Sequence, residues 1–578
     1  MRISGPLSSS LSSFNSLRVF SVPTGRWAKF TGILCLGCAC LVGAADQPAR
    51  SLFRTTPILE NLTNPTSIAI LPDGRLYMTS KNGVIKLVDP VAKTSVTAGT
   101  IAVSDVREDG LLDIVLDPAF ATNRRIFVFF GTLTPAQSLV VARFTTLDNG
   151  NLDMATRVNV ISIPYSITSS DEHNTGSLAF DTKGNLYIGL ADNTNNFTSS
   201  PAQGFSPRDP KRPNYDAQRS AANSNDLRGK ILRIHPEEDG TYTVPAGNLF
   251  AKDAANTKPE IYTMGHRHPF RITVDPRTGW LFWAEPGPNS TADDAAKGPR
   301  GYDEVNLAKS PGNYGWPYCA ANNFCYHEWN YETSTGGALY KPDSLVNNSA
   351  NNTGIKNLPA ARPALIWYPY DATGTAYTIF GKGGANTSML GQVYNFDPAV
   401  TSTNKIPRYF DKHLFIFDFS RSLIHAVEMG DTGNVVAVKR FWDQTTVNPI
   451  KNPIAMKVGP DGAFYFLGWG DDGAYPRNSG HGNLVKLDYT GPADPVGLGR
   501  FPGETALAIG WQWKNLGLGR KATLPPAADR AEAYDLQGVR VWSWRRDAGA
   551  TERILDLGAE AGSLSGVTGL LLLRYHLP

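Results

Sequence analysis

His173 follows two acids in Asp171-Glu172-His173-Asn174-Thr175-Gly176-Ser177, ahead of an apolar stretch that ends in Gly189-Leu190-Ala191-Asp192. A hairpin that sets Asp192 beside His173 would orient the imidazole and stabilise its protonated form. That is the arrangement a general base needs. A turn histidine satisfied by local hydrogen bonds has the same local sequence. Arg267, in Met264-Gly265-His266-Arg267-His268-Pro269, presents five donors in a fixed fork, suited to an oxyanion or a quinone-like carbonyl. An arginine tying a loop to backbone carbonyls reads identically. In Trp283-Ala284-Glu285-Pro286-Gly287-Pro288, the Gly287-Pro288 turn exposes main-chain carbonyls, and proline brings no N–H. Such oxygens suit Ca²⁺, a hard cation that takes six to eight of them. Asp303 and Glu304, in Gly301-Tyr302-Asp303-Glu304, either bind metal or cap a loop. None of this has the regular spacing of an EF-hand.

The elements that must position these residues read as strands. Gly and Pro together make up about a sixth of the 578 residues, and only 19% are charged. Both values disfavour a coiled coil or a long helical bundle. With 12 Trp, 22 Tyr and 26 Phe to bury, a disordered chain is excluded. Between 52 and 490 one phrase recurs: a turn of Asp, Gly or Pro, then a short alternating apolar strand. Examples begin at Leu71-Pro72-Asp73-Gly74, Asp181-Thr182-Lys183-Gly184, Asp275-Pro276-Arg277-Thr278-Gly279 and Gly459-Pro460-Asp461-Gly462. A fifth, from Asp117, has a longer turn. The turns set tight hairpins, and the alternation gives each strand a buried face. Repeated hairpins over this length predict an all-β domain, a β-propeller with room for six blades. Periodicity alone leaves a β-sandwich or β-helix open.

The ends of the chain differ from its body. Arg2, Arg18, Arg26 and Lys29 precede an apolar run of about 15 residues and the small residues Val42-Gly43-Ala44-Ala45. This predicts a signal peptide over 1–45, too short to span a bilayer. Without it the formal charge of +3 becomes −1, which argues against affinity for nucleic acid. The expected product is secreted, periplasmic or at the cell surface, with no integral span after the leader is removed. Cys319 and Cys325 then remain as a candidate disulfide, in keeping with an oxidising compartment. Two thiols or a metal pair are the alternatives, and no second pair exists to complete a zinc site. Residues 491–520 read as a linker, and 521–578 as a small β-rich domain that resembles bacterial secretion-sorting tails.

The three chemical segments, in this order, resemble the glucose/sorbosone dehydrogenase family. Further matches are Glu108-Asp109-Gly110-Leu111-Leu112-Asp113, Asp226-Leu227-Arg228-Gly229-Lys230 and Gly312-Asn313-Tyr314-Gly315-Trp316-Pro317. The resemblance runs over 52–490 and implies a six-bladed propeller that uses pyrroloquinoline quinone (PQQ) and Ca²⁺. It implies oxidation of the C1 hydroxyl of an aldose or related sugar to a lactone, with hydride passing to PQQ and then electrons to an external acceptor. By position it makes His173 the base, Asp192 its orienting acid, and Arg267 the group that stabilises charge on the quinone oxygen. Glu108, Glu172, Arg267, His268 and Arg421 would face the cofactor. Gly287 and Pro288, with Asp303 and Glu304 nearby, would serve the metal.

The chain departs from the family pattern at several positions. His268 replaces an asparagine, Glu108 a glutamine and Ser177 an arginine. Ser420, Asn452 and Ile454 stand where basic residues hold the carboxylates of PQQ, with Arg421, Lys451 and Lys457 nearby. The alternative expectation is a non-catalytic propeller that binds a glycan or a protein partner.

Overall fold

The computed structural model describes residues 47–492, apart from 107, 134–136, 166–172, 196–207, 371–378, 381–386, 444–449 and 471–479. It also describes the backbone of 511–515, 521–523, 530–534, 540–545, 554–556 and 572–576. The expected leader and Glu172 lie outside the described residues.

Six four-stranded antiparallel units form the body, and the chain is a six-bladed β-propeller. Their innermost strands are Pro65–Ile70, Leu111–Leu116, Gly176–Phe180, Arg271–Val274, Ser388–Val393 and Pro453–Val458, for blades 1 to 6. Each packs against the next, and the sixth returns to the first. The ring is closed by Phe53–Leu62, which forms the outer strand of blade 6 by pairing antiparallel with Gly482–Tyr489, Phe53 opposite Tyr489. The repeated turns sit where the sequence places them. Gly74, Gly184, Gly279 and Gly462 all take positive φ, between +71° and +90°, a conformation costly to any residue with a Cβ.

Strand alternation builds the core between blades. In the second strand of blade 2 (Arg125–Gly131), Ile126, Val128 and Phe130 pack with Ile85 and Leu87 of blade 1. Phe127 and Phe129 point the other way and pack with Leu186 and Ile188 of blade 3. Full burial of each such side chain contributes about 1.5–3 kcal/mol. Polar groups tie the inner strands together. Asp113 of blade 2 accepts from the Ser67 hydroxyl of blade 1, and from the Ser177 hydroxyl (2.9 Å) and Leu178 N–H (2.7 Å) of blade 3. Arg271 of blade 4 donates to the carbonyls of Ile454 in blade 6 and Thr66 in blade 1.

Two long excursions leave the ring and meet, Asn347 of one donating to the Gln218 and Ala222 carbonyls of the other. One leaves blade 3 after Leu190 and returns at Lys230. The other lies between Ala308 and Ile366 of blade 4. Within it, Gly312–Asn313 adds a parallel strand to blade 3 beside Thr263–Met264. The Cys319–Cys325 disulfide is formed and closes a small hairpin.

In the tail, Trp511–Asn515 pairs with Leu572–His576, which also pairs with Arg530–Tyr534. This sheet therefore includes a strand from the stretch read as a linker. Among the described residues, no helix is long and apolar enough to cross a membrane.

Candidate active site

In an up-and-down blade, the start of the first strand, the end of the second and the start of the third share one end of the ring. Glu108 precedes the first strand of blade 2, and His173 that of blade 3. Asp192 follows the second strand of blade 3, and Arg267 and His268 lead into blade 4. Gly287 follows the second strand of blade 4, and Asp303 and Glu304 open its third strand. Topology alone thus brings residues nearly two hundred positions apart to one end of the ring.

His173 and Asp192 continue the hairpin ladder beyond the paired strands: His173 N–H donates to Thr194 O, and Asn193 N–H to His173 O. Both side chains are buried. His173 Nδ1 lies 3.1 Å from Asp192 Oδ1, in donor geometry. The other carboxylate oxygen accepts the Trp316 indole N–H at 2.9 Å. Burial pushes the Asp192 pKa up, but the bonds from His173 and Trp316 and the charge of Arg267 outweigh it and hold the carboxylate below its ordinary range. Burial and Arg267 keep the His173 pKa below 6.5 despite Asp192, so the ring is neutral at pH 7. A neutral imidazole whose Nδ1–H is fixed by a carboxylate has Nε2 as its proton acceptor.

Arg267 and His268 are held by a residue the sequence reading passed over. Glu285, buried at the end of the second strand of blade 4, accepts the Arg267 N–H at 2.8 Å and the His268 N–H at 3.1 Å through one oxygen. The other oxygen faces His266 Nδ1 at 3.2 Å and accepts the Trp283 indole N–H at 3.0 Å. Its position in Trp283-Ala284-Glu285-Pro286 was visible; its burial was not. Arg267 Nη1 donates to Pro286 O at 3.0 Å, and burial lowers the guanidinium pKa.

The Gly287 loop packs tightly. A Cβ at Gly287 would lie 1.9 Å from Tyr302 O, so only glycine fits. Asp303 accepts the N–H groups of Gly287 (2.9 Å) and Ser388 (2.6 Å), fastening this loop to blade 5. Pro288 O accepts Ser290 N–H at 2.8 Å. Glu304 accepts from Ala321 N–H and from Asn306 Nδ2 at 3.1 Å. Burial, reinforced by Glu285, pushes Glu304 up to about 8. Arg267, Glu285, Gly287, Pro288, Glu304 and Trp316 line a cavity of about 20 Å³, room for about one water or ion.

Within a lining that also holds Arg267 and Trp316, the Glu285 and Glu304 carboxyls and the Gly287-Pro288 carbonyls are oxygen donors of the class Ca²⁺ takes. Asn306 Oδ1, fully buried beside Glu285 and Glu304, accepts no hydrogen bond. Among the described residues, no three His, Cys, Asp or Glu side chains converge to cage a metal. A bound ligand would therefore have to complete the coordination.

The remaining candidates are placed as follows. Arg421 donates to Asp418 at 3.3 Å and to the carbonyls of Phe380 and Tyr370 at 3.1 Å. Ser420 Oγ bonds Thr387 Oγ1 at 3.0 Å. Asn452 N–H donates to Ser422 Oγ, and Ile454 is buried in the inner strand of blade 6. Ser177, where the family resemblance expects arginine, is a link between blades through Asp113 and Ile272 N–H.

The family model described as Glucose / Sorbosone dehydrogenase matches residues 62–358, just over half the chain. Aldose sugar dehydrogenase YliI of Escherichia coli is 27% identical over 262 residues, which cover 45% of this chain and 60% of that protein. Quinoprotein glucose dehydrogenase B of Acinetobacter calcoaceticus is 27% identical over 356 residues, which cover 58% and 67%. The chain thus spans 60% and 67% of the length of these curated relatives. The solved soluble aldose sugar dehydrogenase of Escherichia coli, in its apo form, superposes with a TM-score of 0.51 at 20% identity. It covers 76% of this chain and 99% of that one, a likeness of fold.

Proposed function

The chain belongs to the glucose/sorbosone dehydrogenase family, and on that premise we propose that it is an exported, PQQ- and Ca²⁺-dependent sugar dehydrogenase. Its reaction is oxidation of the C1 hydroxyl of an aldose or related sugar to the lactone, with an external electron acceptor. The observation that carries this reading is the buried His173–Asp192 pair, 3.1 Å apart, beside Arg267.

His173 Nε2 takes the proton of the C1 hydroxyl. Asp192 fixes the tautomer through Nδ1 and stabilises the imidazolium that forms. Arg267, held by Glu285 and Pro286 O, supplies positive charge where negative charge develops. The Gly287 and Pro288 carbonyls, with Glu304 at the cavity wall, would hold a Ca²⁺ that anchors PQQ, and the quinone would supply the acceptor for the hydride leaving C1. Arg267, His268, Glu108 and Arg421 would face PQQ. Arg267 and His268 are buried, which strengthens their electrostatic action on a group bound beside them.

The test is direct. The purified protein, supplied with PQQ and Ca²⁺, reduces an artificial dye with at least one member of an aldose panel and binds PQQ by its absorbance. No PQQ binding and no turnover would leave the non-catalytic glycan- or protein-binding propeller. The neutral side chains of Ser420, Asn452 and Ile454 agree with that outcome.

A further inference from the structure

A second buried imidazole lies against His173. The His268 ring stacks on it with centroids 4.7 Å apart and planes 19° from parallel. Its Nε2 bonds Thr175 Oγ1 and lies 3.7 Å from Glu108 Oε2. Glu108 in turn accepts the N–H of Asn174, the residue next to His173. Both Glu108 and His268 are 8% exposed. We propose that Glu108 and His268 form a second acid–imidazole pair that positions His173 and tunes its basicity through the face of its ring.

The inference rests on the reading of His173 as the base. Two imidazolium rings stacked at this distance repel, so at most one is doubly protonated. A negative charge on Glu108 stabilises that second proton; a neutral carboxyl does not.

The groups facing the pair are Asp109, Asp192, Arg267, Arg271 and His173. Burial pushes the Glu108 pKa up to about 8, against the pull of Arg267. Burial, His173, Arg267 and Arg271 hold His268 well below its ordinary pKa. At neutral pH both are therefore uncharged, and the carboxyl ionises as pH rises through about 8. Above that point an anion lies within reach of His268 and strengthens the stacked base.

The test uses imidazole NMR titration of the full chain without added cofactor, and pH profiles of kcat/KM with PQQ, Ca²⁺ and an aldose. In the native protein the ring signals of His173 and His268 step near pH 8. Glu108→Gln removes the step with the near-ultraviolet circular dichroism unchanged, and His268→Asn removes it at His173. The native kcat/KM rises across the same step, and Glu108→Gln lacks the rise, so its ratio of kcat/KM at pH 9 to that at pH 6 falls about 3–10-fold below the native ratio. No step in the native protein, or a step that survives Glu108→Gln, overturns the pair. Ring steps without turnover on any aldose uphold the pair and overturn the dehydrogenase reading; turnover without steps does the reverse.

Discussion

The Trp316 indole N–H donates to Asp192 Oδ2 at 2.9 Å, while His173 Nδ1 engages Oδ1 of the same carboxylate at 3.1 Å. The tryptophan arrives on the blade 4 excursion, the acid and the base on blade 3. Removing that donor weakens the ionised form of Asp192. Trp316→Phe is expected to lower kcat by up to about tenfold. It also raises the Asp192 pKa toward its ordinary value, adding a low-pH inflection distinct from that of His173. A pH profile of the variant checks both.

His173 accepts a proton only when neutral. Its pKa lies below 6.5 through burial and the charge of Arg267. kcat/KM is therefore expected to rise with pH through a value under 6.5 and to be free of this limitation at pH 7. His173→Ala is expected to lower kcat by about 10²–10⁴-fold with circular dichroism unchanged; retained turnover would remove it as the base.

Glu285→Gln places an amide N–H against donors that now share two carboxylate oxygens. A buried donor left unpaired costs about 1–3 kcal/mol. The expected result is a lower Tm and, because Arg267 and His268 lose their shared backbone anchor, a lower kcat/KM. Thermal melts and steady-state kinetics measure the two separately.

Asp113 accepts two donors on each oxygen, from Ser67 and Ile114 on one and from Ser177 and Leu178 on the other. Asparagine keeps only one acceptor atom. Asp113→Asn should destabilise the ring by about 2 kcal/mol, read as a lower denaturant midpoint with the slope unchanged.

Calcium bound at the Gly287 loop should stabilise the fold by mass action. Chelation is expected to lower Tm and added Ca²⁺ to restore it. In Gly287→Ala the new Cβ collides with Tyr302 O, and the Tm difference between chelated and Ca²⁺-loaded protein should vanish. An equal difference in both proteins would place the ion elsewhere.

The blades were legible because their turn chemistry is local. Asp73-Gly74, Asp461-Gly462 and the Asp275–Gly279 turn each announce a hairpin, and each glycine takes the positive φ its turn requires. The His173–Asp192 contact was legible for the same reason, since one hairpin joins the two. Closure by Phe53–Leu62 was not, because pairing across more than four hundred residues leaves no local pattern. Glu285 and Trp316 stood in motifs already singled out, yet their roles depend on burial between blades. Asp303 was read as a metal ligand or a loop cap; its oxygens take backbone N–H groups of Gly287 and Ser388, partners that spacing does not encode.

The pairing of Phe53–Leu62 with Gly482–Tyr489 also has a temporal consequence. During synthesis the first strand of the body must wait, with its edge unsatisfied, until the last has been made. An unpaired edge strand is an invitation to pair with another chain. If this protein is exported, holding it extended until translocation is complete would protect that edge, and the ring would then shut in a single late step.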